Sequence, residues 1–134
     1  MSATFHIEIA TPEKLVIANA VTEAQIPGSE GMLGFLPGHA ALISEIDAGE
    51  LSYVMDGHRT ILAVSKGWVE ISNDRCRVLV ETCENAGQID VARAEAALKR
   101  ANDLLASPKQ DLDMARALLA AKKARARLNV ARGY

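Results

Sequence analysis

Residues 77–94 read Arg77-Val78-Leu79-Val80-Glu81-Thr82-Cys83-Glu84-Asn85-Ala86-Gly87-Gln88-Ile89-Asp90-Val91-Ala92-Arg93-Ala94, and the texture of the chain changes within them. Before Gly87 the residues are those of a short strand, apolar and β-branched between charged ends. After Gly87, Asp90 is a natural N-cap, because its carboxylate can accept from the first free amides of a helix. Helix-forming residues follow. The switch predicts an α+β chain: an N-terminal antiparallel β-sandwich over residues 1–86, then an antiparallel two-helix hairpin over 87–134.

Upstream of the switch the chain reads as strands. Phe5-His6-Ile7-Glu8-Ile9 alternates apolar and polar, and Val21-Thr22-Glu23-Ala24-Gln25-Ile26 looks similar before Pro27-Gly28 ends it. Leu51–Met55 and Arg59–Val64 flank Asp56-Gly57, a strong hairpin turn because both residues tolerate positive φ. Trp68–Ile71 and Arg77–Glu81 flank Asn73-Asp74 in the same way. Strands with a turn this often indicate a sandwich or barrel. Downstream, a helix is predicted from Val91 to Ala106, stopped by Ser107-Pro108. A second runs from Leu112, capped by Asp111, to about Arg132, with Gly133 as C-cap. Thirteen alanines fall in the last 45 residues. They strengthen each helix but bury little area between the two. Leu98, Leu104, Leu105, Leu112, Leu118, Leu119 and Leu128 are the expected anchors of the seam, and a hairpin so lightly anchored can undock without melting.

Composition narrows the function. Apolar residues make up 49% of the 134 and charged ones 24%, as in ordinary globular proteins. No apolar run approaches the roughly 20 residues of a membrane span, and the first residues resemble neither signal nor transit peptide, so a cytoplasmic location without membrane insertion is expected. Cys76 and Cys83, read on one extended segment, point to opposite faces and are expected to be unbridged thiols. No metal constellation, nucleophile–base pair or catalytic carboxylate pair is evident, and His6, His39 and His58 fall in separate β segments. A non-catalytic protein is expected. Net charge is −2, yet residues 1–85 carry −7 and residues 86–134 carry +5. From Arg116 onward there are six basic residues and no acidic one, so the second module is expected to seek an acidic partner.

Gly28-Ser29-Glu30-Gly31-Met32-Leu33-Gly34-Phe35-Leu36-Pro37-Gly38-His39-Ala40 is a glycine-punctuated loop, a short buried strand and a Pro-Gly turn. It resembles the GSEGxLGxLPGHAxL signature of the bacterial F-type ATP synthase epsilon-subunit family. Phe5 to Lys14 resembles that family's opening strand and turn. Ser65-Lys66-Gly67-Trp68-Val69-Glu70-Ile71 resembles its S-G-G-aromatic-x-E-V strand, and Leu128-Asn129-Val130 its closing R-L-x-V. The resemblance is collinear over essentially the whole chain. It implies a β-sandwich with two C-terminal helices, at the cytoplasmic face of the bacterial inner membrane, as a rotor subunit for proton-driven ATP synthesis. It implies gamma-subunit binding and c-ring contact by the sandwich, with Glu30, Met32 and His39 in the rotor-contacting loop. Met32 stands where many relatives carry a second carboxylate. Read without the family, His39 is a surface histidine beside a turn.

The same resemblance makes the helices a regulatory element. Folded, they lie against the sandwich; extended, they reach the alpha/beta catalytic head and resist ATP hydrolysis. Arg116, Lys122, Lys123, Arg125, Arg127 and Arg132 then meet an acidic segment of the catalytic subunits, where the plain reading of the run is a solvated helix face. Ile89-Asp90-Val91-Ala92-Arg93-Ala94 matches the I/L-D-x-x-R-A motif with which some members bind ATP as a regulatory ligand; no cofactor is required. The match puts Glu84, Ile89 and Asp90 near base and ribose, with Arg93, Arg100 and Arg127 facing phosphate. Lys123 stands where ATP-binding members have arginine. A helix cap with an Asp90–Arg93 ion pair accounts for most of the motif as well. The rival from another class is a nucleic-acid-binding module, a small β-domain with a basic helix. Net acidity, only five aromatics and the lack of a stacking motif weigh against it.

Overall fold

A computed structural model describes residues 3–106 and 111–133, with the backbone alone for 111–113. Ten strands come first: β1 (Phe5–Ala10), β2 (Leu15–Val21), β3 (Glu23–Gly28), β4 (Gly31–Phe35), β5 (Leu42–Ile46), β6 (Gly49–Met55), β7 (His58–Val64), β8 (Gly67–Ser72), β9 (Arg75–Val80) and β10 (Cys83–Glu84). A 3-10 turn (Ala86–Gln88) then leads to α1 (Val91–Ala106) and α2 (Asp111–Arg132). The strands join in the order β10-β7-β6-β3-β5-β8-β9-β1-β2, with β4 hung on β3. The sheet folds back so that β2 and β6 pack across one core. Every pair is antiparallel except β1 with β9.

The alternation that predicts β1 is its burial: Phe5, Ile7 and Ile9 are in the core while His6 and Glu8 lie half-exposed. Asp56 and Gly57 take φ of 51° and 78°, and Asn73 and Asp74 take 52° and 58°, the left-handed pairs that two-residue hairpins need. Elsewhere the structure departs from expectation. Val21 to Ile26 is two strands, not one. Thr22 turns the corner by giving both its amide (2.9 Å) and its hydroxyl (3.3 Å) to the Val54 carbonyl, so the chain leaves β1 and joins β6. β2, β5 and β10 carry no clean period-two mark and are not legible. The strand expected to be buried after Gly31 is mostly exposed: Phe35 enters the core and Leu33 packs at its edge. Cys76 and Cys83 lie on separate strands, because the chain bends at Glu81 and Thr82. Both thiols face the same core, unpaired.

Asp90 caps α1 as expected, its Oδ1 accepting from the Arg93 amide at 3.1 Å. Gly133 closes α2 with φ 77°. α2 begins at Asp111, one residue before the expected start, and the Ser107-Pro108 stop and the Asp111 cap side chain lie outside the described residues. α2 lies between α1 on one side and β6 and β7 on the other. Ala126 and Val130 pack on Ala63 of β7. On the opposite face, at 100° per residue, Ala117, Ala121, Ala124 and Leu128 are buried toward α1, which offers Ala94 and Ala101. The seam is alanine-rich, as expected, and of the expected leucine anchors Leu128 is buried while Leu98, Leu105 and Leu119 are half-buried. Leu104 and Leu118 are 53% and 48% exposed, and Leu112 lies outside the described side chains.

Candidate functional site

The helices meet the sandwich where β10 ends. Arg127 Nε bonds Glu84 Oε1 at 2.7 Å, and Glu84 is held in register with Ala63 by β10–β7 pairing. Glu84, Gln88, Asp90, Arg93, Ala94 and Arg127 line a cleft of about 180 Å³ there. That gathers four of the seven residues that the ATP motif implies. Lys123 lines a smaller adjoining crevice with Glu84 and Arg127. Ile89 instead packs on Ala63, Ala126 and Val130, and Arg100 is an exposed residue of α1 outside the cleft. Asp90 binds the amide of Arg93, and no ion pair to its guanidinium forms among the described residues. The cleft is smaller than the roughly 300–1,000 Å³ of drug-sized ligand sites. Gln88 is a lining residue that the sequence reading missed. Its signal was the Asn85…Gln88 spacing, a capping box closed by bonds of 3.2 and 2.9 Å.

The basic run of α2 divides in two. Lys122 Nζ meets Asp47 Oδ2 at 2.7 Å, Arg127 meets Glu84, and Arg132 Nη2 meets Glu95 of α1 at 2.9 Å. Asn129 Nδ2 adds a bond of 2.5 Å to Glu50. Arg116 and Arg125 are exposed and Lys123 half-exposed, without an ion pair among the described residues. The run is neither one solvated face nor one free docking face.

The rotor-loop residues are also divided. Glu30 is exposed in the β3–β4 turn and Met32 follows it on β4. His39 lies at the far end, four residues beyond the last residue of β4, Phe35. Its ring stands edge-on to Phe35 at 4.8 Å and bonds the Ala40 carbonyl at 2.7 Å, while Asp74 holds the Gly38 amide at 2.7 Å. Next to Met32 the sheet presents an apolar row that sequence reasoning did not single out. Register aligns Trp68, Leu79, Ala10 and Leu15 across β8, β9, β1 and β2. Trp68 is 56% exposed and Ile43, beside it, 67%. Concavities of about 510 and 540 Å³ flank Trp68. The available signal was large apolar residues at outward positions of alternating strands.

Burial pushes the Cys76 thiol up to about 12. Burial, reinforced by the Glu84 carboxylate and opposed by Lys14, pushes Cys83 up to about 11. Both stay protonated at neutral pH, as packing groups rather than nucleophiles.

Residues 4–86 match the beta-sandwich domain of the ATP synthase delta/epsilon chain, and residues 88–132 match its long alpha-helix domain. The chain belongs to the ATP synthase delta/epsilon-chain family. Among relatives in that family, the ATP synthase epsilon chain of Solibacter usitatus is 40% identical over 131 residues, 98% of each chain. That of Koribacter versatilis is 47% identical over 105 residues, 78% of this chain and 74% of its own. A chain in the mitochondrial ATP synthase of Euglena gracilis, solved with OSCP, F1 and the c-ring, shares the fold with a TM-score of 0.84 at 18% identity. The match covers 98% of this chain and 83% of that one. Membership makes this an epsilon-type, non-catalytic subunit of ATP synthase. Among the described residues, no helix is long and apolar enough to cross a membrane.

Proposed function

We propose that the sandwich joins the gamma subunit to the c-ring during proton-driven ATP synthesis, and that the helices restrain ATP hydrolysis when they leave it. The subunit then works as a peripheral protein at the cytoplasmic face of the bacterial inner membrane. The observation that carries this reading is the way α2 is held. Its contact with the sandwich is a small patch of Ala63, Ala126 and Val130, ringed by ion pairs to Asp47 and Glu84. Such a contact can be exchanged for another surface with acidic groups, as a catalytic head with an acidic segment would offer. The outward row of Trp68, Leu79 and Leu15 fits a permanent protein partner, since apolar area of this kind is stabilised by burial. Gamma is the assigned occupant. Glu30 and Met32 in the adjoining turn face the c-ring in this arrangement, with His39 bracing the opposite end of β4.

Comparison of the complex carrying the full chain with one carrying a chain ended at Gln88 tests the proposal. Truncation is expected to raise ATP hydrolysis while leaving assembly with gamma and the c-ring intact. Unchanged hydrolysis with intact coupling would sink the restraining role. A regulatory ATP contact is the second reading, favoured by the meeting of Glu84, Asp90, Arg93 and Arg127 at one cleft. It needs the cleft to widen and Arg127 to leave Glu84, so ATP titration of an Arg127→Ala chain should show no saturable binding that the parent shows.

A further inference from the structure

Asp47 is built as an acceptor before Lys122 arrives. Its Oδ1 takes the Ala48 amide at 2.9 Å and its own amide is tied to the Pro27 carbonyl at 2.8 Å. That fixes the direction of Oδ2, which meets Lys122 at 2.7 Å. Glu84 is held likewise. It stands in β10, which is sewn to β7 by strand pairing. Just before it, Ser65 and Thr82 exchange bonds, Thr82 amide to Ser65 Oγ at 2.8 Å and Ser65 amide to Thr82 carbonyl at 3.1 Å. Glu50 on β6 accepts from Asn129. Three carboxylates from three separate segments thus flank the sandwich-facing stripe of α2, Glu84 at position 127 on one edge and Asp47 and Glu50 at positions 122 and 129 on the other. Arg132 turns the other way, to Glu95 of α1.

We propose that Asp47 and Glu84 form an ion-pair latch that occupies cations of α2 while the hairpin is docked, so that the sandwich competes directly with any acidic surface for Lys122 and Arg127. The latch is distinct from the Glu95–Arg132 pair, which is internal to the hairpin and survives undocking of the helices as a unit. Release is therefore separable from opening. The apolar part of the contact consists of short side chains, so the ion pairs carry a share of the docking free energy large enough to set the balance. Both pairs are partly exposed, with side-chain accessibilities between 28% and 49%, and dissolved ions reach them. The latch is a property of the isolated chain, and only its consequence for hydrolysis rests on the function proposed above.

Solution NMR of the isolated full chain reads docking through methyl contacts between Ala63 and Val130 and through the separate tumbling of the two modules. Asp47→Asn keeps the bond to the Ala48 amide, so the Asp47→Asn/Glu84→Gln variant removes charge with little change of shape. It should raise the undocked-to-docked ratio between about two-fold and about thirty-fold, the span expected for two exposed pairs. The parent should undock progressively from about 0.01 M to about 1 M salt, as the Debye length falls from about 30 Å to about 3 Å, and the variant much less. The charge swap Asp47→Lys/Lys122→Asp should restore docking toward the parent. A docked population unmoved by the double variant and by salt, or a swap that restores nothing, overturns the latch. Hydrolysis by the complex plays no part in this readout, so failure of the restraining role leaves it intact.

Discussion

Gly67 shows how much one missing methyl can decide. A Cβ built there would lie 1.9 Å from the Leu79 carbonyl oxygen and 2.8 Å from its carbon, both backbone atoms that cannot swing aside. The close approach lets β8 and β9 pair through Gly67 and Val80, and it sets Trp68 beside Leu79 on the outer face. Gly67→Ala should cost about 1–3 kcal/mol or more, as overpacking does, read as a lower urea midpoint. Gly34→Ala, where a methyl meets open space, should stay within about 0.5 kcal/mol. At this scale the sequence is a good guide wherever a residue's chemistry acts locally. Asp56-Gly57, the Asp90 cap and Gly133 are legible because turn and cap geometry depends on neighbours in sequence. Asp47 and Glu50 are not legible as holders of α2, since they act across more than seventy residues of chain.

The helical hairpin is legible as two helices with an alanine-rich seam, but not in which leucines anchor it. Leucine is the stronger hydrophobe, so each of the few leucines is a natural expectation as an anchor. Yet α2 has a neighbour on each side, and only alanine lets α1 and the sheet approach it closely from both. Leu104 and Leu118 are turned outward as a result. Substitution should separate buried alanines from exposed leucines. Ala121→Leu, at a site with no exposure, should lower the hairpin's thermal stability by about 1–3 kcal/mol although leucine is a good helix former. Leu118→Ala should fall within about 0.5 kcal/mol of the parent, checked by helix ellipticity on heating. Strands fare similarly. In Val21 to Ile26 the alternation slips where two polar residues, Thr22 and Glu23, follow one another; the chain divides there, and Thr22 bonds Val54, a partner that local pattern cannot name.

Across the whole molecule, the two modules share little. The main core is drawn from residues between Phe5 and Val80, with Cys83 at its edge and no helical residue in it. A chain ended at Gln88 should therefore unfold cooperatively in urea with a midpoint close to that of the sandwich in the full chain. Ala63 and Ile61 lose their helical cover, and Asp47, Glu50 and Glu84 lose their partners on α2. A collapse of that midpoint would mean that the helices hold the sandwich together. The charge division between the halves, legible in composition, has its explanation in these contacts: acids of the first module receive bases of the second.

The link between the modules is short of freedom. Of the residues between Glu84 and Val91, Asn85 to Gln88 close on themselves in the capping box and Asp90 is committed to the start of α1. Ile89, with φ −91° and ψ 126°, is left as the elbow. At about 1.5 Å per residue, the 16 residues of α1 make a rod of about 24 Å and the 22 of α2 one of about 33 Å. A swing of about 20° at the elbow carries the far end of α1 through roughly 8 Å. The Ile89 side chain is itself packed with Ala63, Ala126 and Val130, so the pivot is jammed while the hairpin is home and turns only after it departs.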